Sequence, residues 1–194
     1  MNDHKSDRRI LKTEKLIQES FIDLSKGKPI SEITITEICN KADINRATFY
    51  AHYNNRDDLL HKIENNLLND LEGYLSKFSP SESSDNLRDS IESICNYLQR
   101  NKNVFDFLID KSEESSFRKR LIFIYREQFL SEWLSPTAKD TSDADYIYMF
   151  AVSGIVATIQ LWIANGMKKP SNEIAQLIMT LVSTGYKIFA ANQN

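Results

Sequence analysis

The sequence predicts an all-α protein of about nine helices. Glycine and proline are scarce, with 5 and 4 copies among 194 residues, so few positions break a helix. Apolar residues recur every three or four positions over long stretches, and no stretch shows the sustained two-residue alternation of a half-buried strand. A hydrophobic fraction of 41% at this length permits one small and one medium helical domain.

Charge and cysteine content narrow the class of protein. The net charge is only -3. Residues 1–60 hold 10 basic and 10 acidic side chains, whereas the rest of the chain holds 14 and 17. This charge distribution gives only weak support for nucleic-acid binding. Cys39 and Cys95 fall on apolar faces of separate predicted helices, which favours reduced core residues over a disulfide, a ligand pair or a nucleophile. No stretch reaches about 18 uninterrupted apolar residues and the N-terminus lacks an apolar signal core, so we expect a cytoplasmic protein without a membrane partner.

The first helix is predicted at Arg8–Lys26, after a polar segment, residues 1–7, that we expect to be disordered. The residues on its apolar face are Ile10, Ile17, Phe21 and Leu24. Gly27 and Pro29 end the helix. The basic residues at its start are Arg8, Arg9 and Lys12. They form either a solvated helix end or a set in which one or more reaches a phosphate or the minor groove.

Residues 34–56 contain three helix starts, which indicates a helix-turn-helix. Thr34 and Glu37 have the spacing of a capping box. Asp43 tolerates the left-handed backbone that ends a helix. Asn45 is the second N-cap, and the helix that follows, Arg46–His52, is too short to be stable without packing against its neighbours. Asn55 is the third N-cap.

The stretch TITEICNKADINRATFYAHYNNRDDLL, which begins at Thr34, resembles the DNA-binding signature of the TetR/AcrR family of bacterial transcriptional regulators. The resemblance covers roughly the first third of the chain, and it fixes residue types over two helices, two turns and the start of a third helix. Asp43 stands where the family usually has Gly, and Arg56 stands where it usually has Lys. Neither puts the assignment in doubt, because Asp can adopt the backbone of Gly and Arg keeps the cation.

The outer face of the second helix of this motif is predicted to enter a DNA major groove. Arg46 lies in its first turn, where a guanidinium can reach guanine O6 and N7. The hydroxyls of Thr48 and Tyr50 are better placed for contacts with phosphates. Arg56 adds a cation beside the amides at the start of the fourth helix. The predicted DNA-binding residues are Thr34, Thr36, Asn45, Arg46, Ala47, Thr48, Tyr50, His52 and Arg56.

The fourth helix, predicted at residues 55–78, is expected to link a helix-turn-helix domain, residues 1–54, to a second helical domain, residues 55–194. At about 1.5 Å per residue it spans more than ~30 Å, so its start can touch DNA while its end lies in the second domain. A Ser- and Pro-rich segment, Ser79–Ser84, is expected to form a loop after it.

Five further helices are predicted beyond that loop, at Asp85–Arg100, Asn103–Asp110, Ser115–Leu134, Asp143–Asn165 and Asn172–Asn192. This region lacks a metal-ligand cluster, a phosphate-binding Gly loop and a Ser/His/Asp set, which argues against an enzyme, and we expect no cofactor and no metal. Packing in a helical core explains most of its aromatic residues. The resemblance implies that some line a small-molecule effector cavity, with Tyr97, Phe105, Phe123 and Trp133 as the candidates.

The last two helices are predicted to form a homodimer. Residues 150–157 are apolar nearly all round, and Ile174–Phe189 carries a broad apolar stripe. One copy of the domain cannot easily cover both apolar surfaces. Pairing both helices with those of a second copy would bury them in a four-helix interface, as the family does. The segment FAVSGIVATIQLWIANGMKKPSNEIAQLI resembles the C-terminal domain of a Gram-positive subset of the family that includes regulators near dihydroxyacetone-kinase genes.

Two functions follow from these patterns. The first is a sequence-specific regulator that binds a palindromic DNA operator as a homodimer and that, as a repressor, is released by an effector. The alternative is a helical co-activator or adaptor that keeps the fold and acts through protein–protein contacts. Retention of Arg46, Thr48, Tyr50 and Arg56 favours the first.

Overall fold

The computed structural model describes residues 3–75, 84–110, 120, 126 and 144–191. Every described element is helical, which confirms the all-α class. The elements are α1 (Asp3–Ser25), a 3-10 turn (Ile30–Glu32), α2 (Ile35–Lys41), α3 (Arg46–Tyr50), α4 (Arg56–Leu75), α5 (Ser84–Arg100), α6 (Lys102–Asp110), α7 (Ala144–Ala164) and α8 (Ser171–Ala191).

Helix boundaries agree with the sequence patterns except at the N-terminus. Helix α1 begins at Asp3, so the expectation of disorder before Arg8 is wrong for residues 3–7. An acidic residue in the first turn suits the positive end of a helix, and the charged residues that follow do not break it. The predicted helix Ser115–Leu134 lies outside the described residues apart from Arg120 and Arg126, which are helical. Most of the predicted Ser/Pro loop lies outside them too.

The chain forms two compact units, and the first consists of residues 1–68 together with 103–115. Its core joins α1, α2 and α3 through side chains that are almost fully buried: Ile17, Phe21, Ile38, Phe49, Tyr53 and Leu59. Helix α6 belongs to this unit, because the rings of Phe107 and Phe21 meet edge to face with centroids 5.4 Å apart. Ile10 departs from the predicted apolar face, since it is exposed.

The second unit consists of residues 69–102 together with 116–194, and α8 packs chiefly on α5. The buried residues of these two helices include Ile91, Cys95, Leu98, Ile174, Ala175 and Ile178. Helix α7 ends where Gly166 adopts a φ of 76° and the indole Nε1 of Trp162 donates to the carbonyl of Lys169 at 2.8 Å. The division into compact units falls inside α4, so the functional boundary predicted at 54/55 stays a prediction.

Candidate nucleic-acid interface

Helix α2 begins with the predicted capping box. The amide of Glu37 donates to Thr34 Oγ1 at 3.2 Å, and the amide of Thr34 donates to Glu37 Oε2 at 2.9 Å. Lys28 lies 2.6 Å from Glu37 Oε1. The Lys28 ammonium and then the Thr34 amide lower the pKa of Glu37 to about 2. The Thr34 side chain therefore serves the helix start, whereas Thr36, two residues later, is exposed and accessible to a phosphate.

The turn between α2 and α3 has the geometry that the sequence predicted. Asp43 adopts a φ of 52°. The amide of Ile44 donates to the carbonyl of Cys39 at 3.0 Å, and the amide of Asp43 donates to that of Asn40 at 3.4 Å. These two bonds form a Schellman motif, which satisfies the last carbonyls of α2 and turns the chain into α3.

Helix α3 is held by its cap and by one buried ring. Asn45 Oδ1 accepts hydrogen bonds from the Thr48 amide at 2.7 Å and from Thr48 Oγ1 at 3.0 Å. Phe49 is fully buried. A helix of only five residues has little stability of its own, so these contacts fix its position. Because the Thr48 hydroxyl donates its hydrogen to Asn45, it can donate to a phosphate only after that bond breaks.

The outward face of α3 is exposed and carries one cation beside small residues. Arg46, Ala47, Tyr50 and Ala51 are all exposed. The guanidinium of Arg46 lies 6.0 Å from the centroid of the Tyr50 ring and donates to the Tyr50 hydroxyl at 3.4 Å. This contact holds the guanidinium against a ring at the surface. The small side chains on this face therefore leave room for another molecule to approach closely. Arg46 is the single charged side chain of the face.

His52 does not lie on this face, and we leave it out of the proposed DNA contacts. Its Nδ1 lies 3.5 Å from Glu14 Oε1 on α1, and its side chain is only 12% exposed. Lys62 lies 3.7 Å from the same carboxylate oxygen. The imidazole therefore connects the end of α3 to α1 and is turned away from solvent.

Arg56, predicted to contact DNA, makes several contacts within the protein. Its Nη1 donates to the carbonyl of Ser31 at 2.8 Å and reaches that of Ile33 at 3.5 Å, while its Nε and Nη2 contact Asp57. The guanidinium thus fastens the loop before α2 to the start of α4. Asn55 caps α4 as predicted, because its Oδ1 accepts from the Asp58 amide at 2.8 Å. These bonds position the start of α4, and the phosphate contact predicted for Arg56 stays a prediction.

Comparisons with known proteins identify the family of this chain. Residues 85–184 match a TetR family model described as a transcriptional regulator C-terminal region. That match covers more than half of the chain. The chain belongs to the TetR family of transcriptional regulators.

Two curated relatives share parts of this TetR-family sequence. An uncharacterized HTH-type transcriptional regulator of Bacillus subtilis, YxbF, is 44% identical over 55 residues, which are 28% of this chain and 14% of YxbF. The HTH-type dhaKLM operon transcriptional activator DhaS of Lactococcus lactis is 29% identical over 111 residues, 54% of each chain. The chain therefore spans 14% and 54% of the lengths of these relatives. The DhaS match agrees with the predicted likeness of the C-terminal domain to regulators of dihydroxyacetone-kinase genes.

A solved structure shows the same fold over the whole chain. A TetR transcriptional regulator from Streptococcus agalactiae superposes with a TM-score of 0.63 at 20% identity, covering 93% of this chain and 99% of that one. At this identity the likeness is one of fold. The proteins matched by sequence are named as transcriptional regulators, not as enzymes.

The effector cavity assigned to four aromatic residues stays a prediction. Phe123 and Trp133 lie outside the described residues. Phe105 is buried in the first compact unit. Tyr97 belongs to the second, where its hydroxyl donates to Asp70 Oδ2 at 2.5 Å and its ring lies 5.5 Å from that of Tyr74. Burial and Asp70 raise the pKa of Tyr97.

Helices α7 and α8 of the TetR-family chain both carry large apolar side chains on an exposed face. We call this the α7–α8 face; its large residues are Tyr146, Met149, Phe150, Leu161, Leu177 and Leu181. Phe150 is 81% exposed and Leu161 is 63% exposed. Gly154 and Ala157 lie between them and are exposed, so another helix could approach closely here. Several large apolar side chains exposed on one helix face often mark an interaction surface.

One segment in the described part of the chain, Asp145–Ala164 in α7, is long and apolar enough to cross a membrane by length and composition alone. Its mean hydropathy is 1.8. The other side of α7 packs within the second unit through buried residues such as Tyr148 and Trp162. A helix with one side in a protein core and the other in an interface between copies has the same composition.

Both cysteines are free and buried, as the sequence predicted. Burial raises the pKa of Cys95 to about 12 and also raises that of Cys39. Each is therefore a protonated thiol at neutral pH. Over the described ranges there is no group of three or more His, Cys, Asp or Glu side chains that could hold a metal ion.

Proposed function

We propose that this TetR-family chain is a sequence-specific DNA-binding regulator that acts in the cytoplasm as a homodimer. The observation that carries the proposal is the exposed face of α3, on which Arg46 is the one charged side chain. A short helix held by an N-cap and a buried ring, with small residues outward, can enter a major groove about 12 Å wide. Two copies would read two half-sites of a palindromic operator.

Each residue has a distinct role in this proposal. Arg46 reads a guanine through two parallel hydrogen bonds, and Ala47 lies close to the bases because it is small. The Tyr50 hydroxyl and the exposed Thr36 contact phosphates. Asn45 acts through the cap of α3. The helix start at Arg56 is oriented by the guanidinium bonds to the loop before α2.

Binding-site selection from a randomised duplex library tests the assignment of Arg46. Arg46→Ala should relax preference at one base position and weaken the selected site by about 1 to 3 kcal/mol. The matched control is Lys15→Ala, which removes one exposed cation that is paired with Glu19 on α1. An Arg46→Ala protein with unchanged base preference would contradict the assignment.

We propose that the α7–α8 face is the dimer interface. Pairing α7 and α8 with those of a second copy would bury the exposed Phe150 and Leu161 in a four-helix interface. Sedimentation of Leu161→Glu should show monomers, because a carboxylate would be forced into an apolar interface. Leu11→Glu is the matched control, since Leu11 on α1 is also 63% exposed. If both variants stay dimeric at micromolar concentration, this face is not the interface.

We further propose that the regulator represses transcription and that a small-molecule effector binding in the second domain releases it from the operator. The support is family membership, since some TetR-family regulators bind small molecules. A ligand shifts the protein only if it binds the released form more tightly. Trp162→Phe leaves Trp133 as the single tryptophan, so its emission reports ligands that enter near it. A reporter gene behind the selected site gives the sign of regulation.

The alternative, a co-activator or adaptor, would also use an exposed apolar face such as the α7–α8 face. It makes a different prediction for DNA. At low salt, the regulator should bind a DNA duplex from its own upstream region in a mobility-shift assay, whereas the adaptor should bind none. A dimer that binds no duplex at low salt would favour the adaptor.

A further inference from the structure

Most basic side chains between residues 8 and 68 are neutralised by a nearby carboxylate. Residues 8–68 contain ten Lys and Arg side chains. Six of them lie within 4.0 Å of an acidic oxygen: Lys15 with Glu19, Lys26 and Lys41 with Asp23, Lys28 with Glu37, Arg56 with Asp57, and Lys62 with Glu14. Such exposed pairs add little stability, but each cancels the local field of its cation.

Four cations in this range have no carboxylate at ion-pair distance in the described structure: Arg8, Arg9, Lys12 and Arg46. Arg46 instead contacts the Tyr50 ring and hydroxyl. Arg8, Arg9 and Lys12 are exposed on the first turns of α1, and we call them the α1 basic cluster. Between residues 8 and 68, the cations without a carboxylate partner in the described structure therefore lie only on α3 and at the start of α1.

The contacts along α1 show where its start lies relative to α3. Asp23, near the end of α1, meets Lys41 in the last turn of α2. Gln18 donates to the Tyr53 hydroxyl at 3.1 Å, just beyond α3. One turn earlier, Glu14 meets His52. Going toward its N-terminus, α1 thus passes from the end of α2 to the end of α3.

The α1 basic cluster lies beyond this last contact. Arg8 is six residues before Glu14, which at 1.5 Å per residue is about 9 Å farther along the helix axis. Helix α3 is only five residues long, about 7.5 Å. The major groove that it would occupy is about 12 Å wide and has phosphates along both edges. The start of α1 therefore extends about 9 Å beyond the last contact between α1 and the end of α3.

We propose that the α1 basic cluster binds the phosphodiester backbone of the duplex that flanks the half-site read by α3. The proposal rests on the proposed function, because it requires α3 in the major groove. Guanidinium and ammonium groups bind phosphate oxygens whatever the base sequence, so the contact adds affinity and register without base preference. It also gives a role to three cations for which the described residues supply no acidic partner.

The test compares two variants of equal charge on two duplexes. One variant replaces the cluster (Arg8→Gln, Arg9→Gln and Lys12→Gln), and the control replaces three paired lysines (Lys15→Gln, Lys26→Gln and Lys62→Gln). Glutamine keeps helix propensity close to that of Lys and Arg. One duplex ends at the last base pair selected by the wild type, and the other continues for eight pairs on each side, with either A·T or G·C flanks.

The wild type and the control should bind the extended duplex more tightly than the short one, with equal affinity for both flank sequences. The cluster variant should bind both lengths alike. The slope of log affinity against log salt on the extended duplex should fall by about 0.9 for each lost phosphate contact, so by up to about 2.7 per bound protomer. A variant with Arg8→Lys and Arg9→Lys keeps the charge and should retain the length effect.

Three results would overturn the inference. Equal behaviour of the cluster variant and the control would make the cluster a solvated helix end. A preference for A·T flanks that vanishes in the cluster variant would mean reading of the minor groove and not of the backbone. Loss of the length effect in the Lys-substituted variant would mean that charge is not the cause. If the wild type selects no duplex at all, the proposed function itself fails.

Discussion

The cap of α3 allows its stability and its DNA affinity to be changed separately. Asn45→Ala removes the acceptor of two hydrogen bonds, from the Thr48 amide at 2.7 Å and the Thr48 hydroxyl at 3.0 Å. Replacement of an N-cap by Ala costs about 0.5 to 2 kcal/mol. Asn45 is exposed, so water can replace part of what is lost, and we expect about 1 kcal/mol. Asn45→Asp keeps an acceptor and adds a negative charge at the positive end of the helix, so stability should change by less than about 0.5 kcal/mol.

DNA binding should respond in the opposite order. The carboxylate of Asn45→Asp would face phosphates beside Arg46, so this variant should bind the selected duplex much more weakly than Asn45→Ala, although it is the more stable protein. Urea unfolding at one fixed protein concentration measures stability, since a dimer's midpoint depends on concentration. Fluorescence anisotropy with a labelled duplex measures affinity. Equal losses of stability in the two variants, or full affinity in Asn45→Asp, would refute the reasoning.

Three further changes test the surroundings of the motif. Arg56→Ala should lower the free energy of unfolding by about 1 to 2 kcal/mol, because the carbonyl of Ser31 loses a charged donor. Unchanged stability, with the slope of log DNA affinity against log salt reduced by about 1, would instead make Arg56 a phosphate ligand. Asp43→Gly should raise stability by up to about 1 kcal/mol in thermal unfolding, since Gly adopts a φ of 52° without strain; a destabilised variant would mean that the Asp43 side chain contributes. Glu37 has a pKa of about 2 in the folded chain, below its ordinary 4.5, through Lys28 and the capping box. Its stabilising effect is therefore present above about pH 4.5 and is lost as pH falls toward 2. In Glu37→Gln, the urea midpoint of unfolding should fall less between pH 4.5 and pH 2 than it does in the wild type. An equal fall in both proteins would assign the loss of stability to other carboxylates.

The sequence by itself determined the features that depend on near neighbours along the chain. The capping box at Thr34, the cap at Asn45 and the left-handed turn at Asp43 each join residues three to five positions apart. Such contacts are decided by backbone geometry and residue type, which can be read from letters at fixed spacing. The all-α class followed from apolar periodicity for the same reason.

The partners of the longer side chains depend on tertiary packing and could not be predicted from the sequence. His52 was assigned to DNA, but its partner Glu14 lies 38 residues earlier, and the guanidinium of Arg56 meets the carbonyl of Ser31, 25 residues away. Helix α6 joins the first compact unit through Phe107, although its sequence position suggested the second domain. The direction of a side chain within a helix follows from its spacing, whereas its partner depends on which other element packs there. That choice depends on how the helices pack together, which local spacing does not encode.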